Sequence, residues 1–594
     1  MAEHVVSGSL VSVPWDVGIW SFAVLIVLAW LLNDLRSRLA KLFHRLLVGF
    51  ILVGLVFWVL LVIFGFLSLV SFALVSALLL VFCIAFSSGF FGVSRFGLFL
   101  RILFGAILIA SFFEVAALVL FNVPVALNLG FGAAGLHWGN VELTFSNFAY
   151  PFFPYVYLVF VLFGVAAFVV KAAPTRWLVT KIRSKQLELL HRLSGVFRPS
   201  WDGDLEFLNS RFVLILAAVV SAAVSCLFVV FTVLPWTNPT NMLVSVDSPT
   251  YYQWIVYMHS VNVNSALSFA FANDRALFLV LAYVLSFFAS PLAVVQFVSA
   301  LLIVLFGVTS LFVLRLFCRS RAVWVFGVLL VPFSFQALGL IYSGYFANML
   351  ALILVLVYVI LFFRVLSNWS SLGFFALLGV SLLILFSHSW TWYIFALSLV
   401  AFMFLEWRQA MQDKRLWNRF KLKAAFIGAT VVVGLSLDLV RGLLSSVSSA
   451  GSVFATAQSG LSLPNGAYLL SGFRETADFV LGGVFANQLL VFLSFVGFLY
   501  LLKFKSEVSS FFVSWIFVAC VAIFFAAQNF VFDRFLFLMP WVVLSSFGLF
   551  YVVRLIGSRF GSKRWRLCFV LLILVFVFLV LFNGSLRYLF NINI

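Results

Sequence analysis

Charge in this chain is gathered into short basic clusters, and the stretches between them are apolar for about 20 residues at a time. That is the length an α-helix needs to cross a hydrocarbon core of about 30 Å. Hydrophobic residues make up 65% of the 594 positions and charged residues 9%, and the mean hydropathy is +1.23, which excludes a soluble fold. In hydrocarbon every backbone N–H and C=O must be satisfied within the chain, leaving helices or a closed barrel. Continuous apolar runs, in place of alternating segments of about ten residues, exclude the barrel. The sequence predicts an all-α, polytopic integral membrane bundle.

The basic clusters set the topology. They are Arg36 to Arg45, Arg95 with Arg101, Lys171 to Arg211, Arg315 to Arg321, Arg364, Arg408 to Lys423, Lys503 with Lys505, and Arg554 to Arg566. Placing them all on the cytoplasmic side follows the excess of Lys and Arg in cytoplasmic loops. The expected spans are then 17–34, 46–66, 70–91, 102–123, 152–171, 212–235, 292–314, 322–338, 346–363, 372–387, 393–407, 424–440, 485–502, 509–527, 535–553 and 567–586. This is about 16 helices with both termini outside. Of the 36 Lys and Arg residues, only Arg275, Arg441, Arg474, Arg534 and Arg587 fall outside. The net charge of +18 thus describes a face apposed to anionic lipid and not a nucleic-acid site. Residues 276–290 are apolar, but a crossing there would invert every later loop, so they are expected to lie as a helix in the outer interface. The N-terminal 16 residues lack the basic region of a cleaved signal, and the first apolar run is expected to anchor.

Three regions follow: a five-helix membrane block over 1–170, a basic cytoplasmic linker with an amphipathic helix over 171–211, and a membrane module over 212–594 with large outer loops at 236–291 and 441–484. The five cysteines form no CxxC pair or metal-ligand spacing. Glu114, inside an apolar run of the first block, is a functional flag because charge is costly in hydrocarbon.

The first outer loop contains SVDSPTYYQWI. Ser248-Pro249 after Asp247 favours the start of a helix, with Asp247 as its N-cap. A carboxylate at the membrane surface could equally act as a general base or hold a cation, and the two readings are compatible. Asp274-Arg275 precedes the interfacial segment, Asp533-Arg534 repeats the pair, and Arg474-Glu475 lies in the second loop. Arginine suits phosphate oxygens through its fork of donors; plain surface ion pairs explain the same pattern. His388, in HSWTW, is expected in an interfacial aromatic belt.

The long loop with SVDSPTYYQWI, the helix of NDRALFLVLAYVLS, and a following helix ending in LRLFCRSR resemble the start of the GT-C superfamily of membrane glycosyltransferases. IYSGYFANMLALIL (341–354) and FSHSWTWYIF (386–395) also look like segments of archaeal GT-C-like membrane proteins. The resemblance covers about 212–594, the C-terminal two-thirds. No WWDYG-type motif and no His-Pro-Pro after the first-loop acid is present, so the oligosaccharyltransferase and protein O-mannosyltransferase branches fit poorly. The resemblance implies transfer of a sugar from a polyprenyl-phosphate donor to a glycan or protein acceptor on the outer face of a plasma membrane. It implies Asp247 as catalytic base, Arg275 and Arg534 on the donor phosphate, and Asp274, His388, Arg474 and Asp533 as second-rank residues. No cofactor is required, although a divalent metal is compatible with an isolated Asp. Fold does not fix function. A non-catalytic scaffold or accessory subunit, with a membrane-protein partner on helices 1–5, stays open as the alternative. A transporter or lipid flippase ranks third, since Glu114 and Asp438 are the acids within spans and no internal repeat is evident.

Overall fold

The computed structural model describes residues 208–445 almost throughout, then 488–502, 507–524 and 537–557, with scattered positions in 164–172 and 567–585. The chain divides into two compact units, Met1–Pro151 and Phe152–Ile594, and every described residue belongs to the second. The expected spans up to 123, Glu114, nearly all of the 171–211 linker and most of the 441–484 loop lie outside the described residues.

Helix is the regular structure throughout the described residues. In chain order the helices are α1 (Arg211–Val233), α2 (Ser248–Ser260), α3 (Val263–Phe271), α4 (Ala276–Leu285), α5 (Pro291–Phe317), α6 (Arg321–Leu330), α7 (Phe335–Ser343), α8 (Phe346–Ser367), α9 (Ser371–Ser387), α10 (Ser389–Gln412), α11 (Lys414–Ser445), α12 (Gln488–Leu502), α13 (Glu507–Phe524) and α14 (Trp541–Gly557). Their starts are written locally: Ser210, Asn262, Ser290, Ser334 and Ser370 each accept a backbone N–H of the first turn, satisfying donors that a helix leaves orphaned.

Among the described residues, six helical stretches are long and apolar enough to cross a membrane: Arg211–Val233, Pro291–Phe317, Arg321–Ser343, Phe346–Ser367, Ser389–Met411 and Leu416–Gly442. The third joins α6 and α7 through a 3₁₀ turn at Val331–Phe333, where Pro332 interrupts the α-helical bonding. Within the described residues the apolar helices over Ser371–Ser387, Leu489–Leu502, Glu507–Val521 and Trp541–Arg554 are shorter, so length there does not establish the crossings expected at 372–387, 485–502, 509–527 and 535–553. Helix α4 has 10 residues, about 15 Å of rise and half of a crossing. The turn after it exposes Phe287 and Phe288.

Helix α8 buries Phe346, Ala347, Met349, Leu352, Val355 and Tyr358. It packs on α5 and α9, while α10 packs on α11 and α13, and α14 on α6 and α12. Apolar burial drives little association in lipid, so close backbone approach and polar pairs matter more. At the α12–α14 crossing a Cβ on Gly497 would strike the Leu544 carbonyl and one on Gly548 the Leu493 carbonyl. Ser494 donates across the same crossing to Trp541 O at 3.3 Å. By contrast α1 turns Phe212, Ile215, Val219 and Leu227 outward, as a lipid-facing helix does.

Polar groups sort to the two ends of α10 and α11. Near one end lie Tyr393, Asp438 and Arg441. Towards the other, Lys423 pairs with Glu406 and with Glu507, the latter at 2.9 Å. Thirteen residues separate Tyr393 from Glu406 on α10, about 20 Å along the axis.

Candidate functional site

Asp247 is positioned by a break in another helix. The chain leaving α1 turns at Asn238, which donates to Met242 O at 2.7 Å and accepts from Met242 N at 3.0 Å. It then runs against the end of α7, where Val246 N and Asp247 N donate to Tyr342 O and Ser343 O, each at 3.2 Å. Gly344 ends α7 in the left-handed conformation, φ 70°. A Cβ there would collide with Ser245 Oγ and sit 3.3 Å from the Asp247 Cβ. Glycine is thus needed twice over, for the positive φ and for the closeness of the loop.

Asp247 occupies the N-cap position of α2, with Pro249 in the first turn, but its side chain makes no cap hydrogen bond. The expected capping role is corrected in that respect. Ser245 takes it instead, its Oγ accepting from Ser248 N at 3.2 Å and lying against Ser248 Oγ. The Asp247 carboxylate turns to Arg275, whose Nη1 donates to Oδ2 at 3.2 Å.

Arg275 is the centre of the site. It stands at the head of α4, and its backbone N–H donates to Asn273 Oδ1 at 3.1 Å. Its Nη1 also donates to the Tyr251 hydroxyl at 2.9 Å, and its Nε lies 3.8 Å from Asp274 Oδ1. The guanidinium stacks 5.2 Å from the Tyr251 ring and 5.9 Å from Trp254. Behind them Tyr251 packs against Phe278 of α4 and Phe346 of α8 at 4.9 and 5.3 Å. Side-chain exposure is 15% for Arg275, 27% for Asp247 and 42% for Asp274, so both carboxylates reach solvent while the cation is largely enclosed. Burial pushes the Tyr251 hydroxyl up to about 12, against the pull of Arg275, so it is neutral at physiological pH. Burial also disfavours the Arg275 charge, but Tyr251, Asp247 and Asp274 outweigh it and hold the guanidinium above its ordinary value.

A third wall comes from α11. Arg441 Nη2 donates to the Asn273 carbonyl, and its guanidinium lies 5.9 Å from Phe386 at the end of α9. One turn earlier Asp438, fully buried, accepts from the Tyr393 hydroxyl at 2.6 Å.

Of the sequence-predicted site residues, Asp247, Asp274 and Arg275 are brought together. His388 is not a belt residue: it is 1% exposed at the α9–α10 junction, where Nδ1 accepts from Thr391 N at 3.2 Å and caps α10 as a serine would. Arg474, Asp533 and Arg534 lie outside the described residues. Among the described residues no three His, Cys, Asp or Glu side chains are grouped to hold a metal; Asp247 and Asp274 meet on a guanidinium. Tyr251, Asn273, Gly344 and Arg441 were not singled out as site residues in the sequence. The signal for Gly344 is a glycine between Ser343 and Tyr345 inside an apolar run, and for Arg441 a basic residue three after an acid within an apolar run.

This constellation offers a partly exposed carboxylate, a guanidinium able to meet an anion, and aromatic faces suited to a sugar or isoprenoid surface. Comparison with known proteins finds no matching family model and no matching curated protein.

Proposed function

We propose that this chain is a membrane glycosyltransferase that moves a sugar from a polyprenyl-phosphate donor to a glycan or protein acceptor at the outer surface. The observation that carries the reading is the Asp247–Arg275 pair, a base and an anion-binding group 3.2 Å apart at the edge of apolar helices. Asp247 takes the proton of an acceptor hydroxyl as its oxygen bonds to the anomeric carbon. The bond from that carbon to the phosphate oxygen breaks with inversion, and the electron pair leaves on polyprenyl phosphate. Arg275 meets that charge, with Arg534 as the second cation; Asp274 orients Arg275. In the resting pair Asp247 is held by the guanidinium, so donor phosphate competing for Arg275 would free the base. The reading includes about 16 spans, both termini outside and a plasma-membrane location. Its rival, a non-catalytic scaffold, is favoured by the same closed pair, which would serve equally as a staple between α2 and α4.

The test is consumption of polyprenyl-phosphate sugars by purified protein in lipid nanodiscs, wild type against Asp247→Asn. Loss of about 10²-fold or more in turnover, with the variant folded, supports the base. Turnover that survives Asp247→Asn refutes its role, and wild type inert towards every donor would leave the scaffold.

A further inference from the structure

The turn that delivers Arg275 is anchored from a helix 168 residues away. We infer that Arg441 is a positioning residue, which holds the Asn273 turn and through it the orientation of the Asp274–Arg275 pair. For what Arg275 does in catalysis, the inference rests on the function proposed above; the anchoring itself does not.

The turn between α3 and α4 spans only Ala272 to Arg275, and its residues are joined in series. Ala272 N and Asn273 N close on α3, at Ser268 O (3.0 Å) and Ala270 O (3.1 Å). The Asn273 carbonyl accepts from Arg441, while the Asn273 side chain accepts the Arg275 N–H. One residue therefore receives the anchor on its backbone and passes it on through its side chain. Arg441 is itself 8% exposed, flanked by Phe386, and Phe386 meets Phe271, the last residue of α3, edge to face at 6.3 Å. The Asp438–Tyr393 bond, on the same face of α11 one turn back, ties this part of α11 to α10. Arg441 of α11 thus holds the loop at the Asn273 peptide group, two residues before the guanidinium that contacts Asp247, while α9 packs beside it on α4. A charged donor on a carbonyl is a strong form of hydrogen bond, and one residue of slack there would be enough to turn Arg275 away from Asp247.

Amide hydrogen exchange on the full chain in nanodiscs tests this without an activity. Arg441→Gln is expected to speed exchange across residues 272–276 by about tenfold or more, with α14 amides unchanged, and Arg441→Lys to restore part of the protection. Exchange in 272–276 equal to wild type would overturn the inference. Asn273→Ala leaves the carbonyl for Arg441 and deletes only the acceptor of Arg275 N–H. It is the second variant should Arg441→Gln not fold, and unchanged exchange at Arg275 would break the relay. With a turned-over donor, Arg441→Gln should lower kcat, and Arg441→Lys should recover it; a kcat unaffected by Arg441→Gln overturns the positioning role. Should wild type turn over no donor, the proposed function falls and the exchange result alone decides the anchor.

Discussion

Lys423 is the cation shared by two carboxylates, and its replacement by methionine should be among the most damaging single changes in the described core. Lys423 is 3% exposed and Glu406 7%, so removing the ammonium leaves a buried carboxylate with only the more distant Lys171 charge and with a second oxygen, Oε1, that has no hydrogen bond among the described residues. Breaking a buried pair from one side costs about 3–5 kcal/mol, roughly two to four decades in the folding equilibrium. The Glu507 arm, 35% exposed, adds at most about 1 kcal/mol because water screens it. Methionine matches the lysine stem against Phe402, over which the ammonium sits at 5.8 Å, so little of the loss comes from a cavity. The assay is reversible unfolding in mixed micelles, reading the denaturing-detergent fraction at the midpoint for wild type, Lys423→Met, Glu406→Gln and the double variant. The double variant should recover most of the loss, because it removes both charges together. A Lys423→Met protein within about 1 kcal/mol of wild type, or a double variant less stable than Lys423→Met, would refute the reasoning.

Gly344→Ala should lower stability by about 1–2 kcal/mol from the left-handed φ alone and displace the Asp247 loop, which the same unfolding assay and donor consumption would register together. Gly548→Val should separate α12 from α14 at a cost of about 1–3 kcal/mol or more, seen as a lowered unfolding midpoint. Tyr251 contributes stability through a neutral hydroxyl, complete below its ordinary value of 10 and lost as pH rises towards about 12. Tyr251→Phe should therefore flatten the fall of stability between pH 10 and 12, measured against wild type.

How far the sequence could be read differs between levels. The six candidate spans and the short α4 follow from apolar run length and charge placement, and Pro249 and Pro291 sit in first turns where a chain without a prolyl N–H loses nothing. The helix start after Asp247 was legible; the freedom of its carboxylate was not, because Ser245 supplies the cap and nothing in SVDSP says which of two side chains does. His388 among aromatics resembled a belt residue, yet it caps α10 from a buried site. Asp274-Arg275 was visible as a pair, but Arg275 prefers Asp247, 28 residues away.

What the sequence alone determined is the solvent most segments must tolerate: apolar stretches of bilayer length must be helical, and basic clusters, buried Lys423 excepted, mark the segments that meet water, because both demands act on local stretches of chain. The tertiary structure decided which charges meet. Asp247 with Arg275, Arg441 with Asn273 and Lys423 with Glu406 and Glu507 are set by how helices distant in sequence pack. Gly344, Gly497 and Gly548 decide how closely the backbones can approach, and packing of that kind depends on partners that no local pattern names.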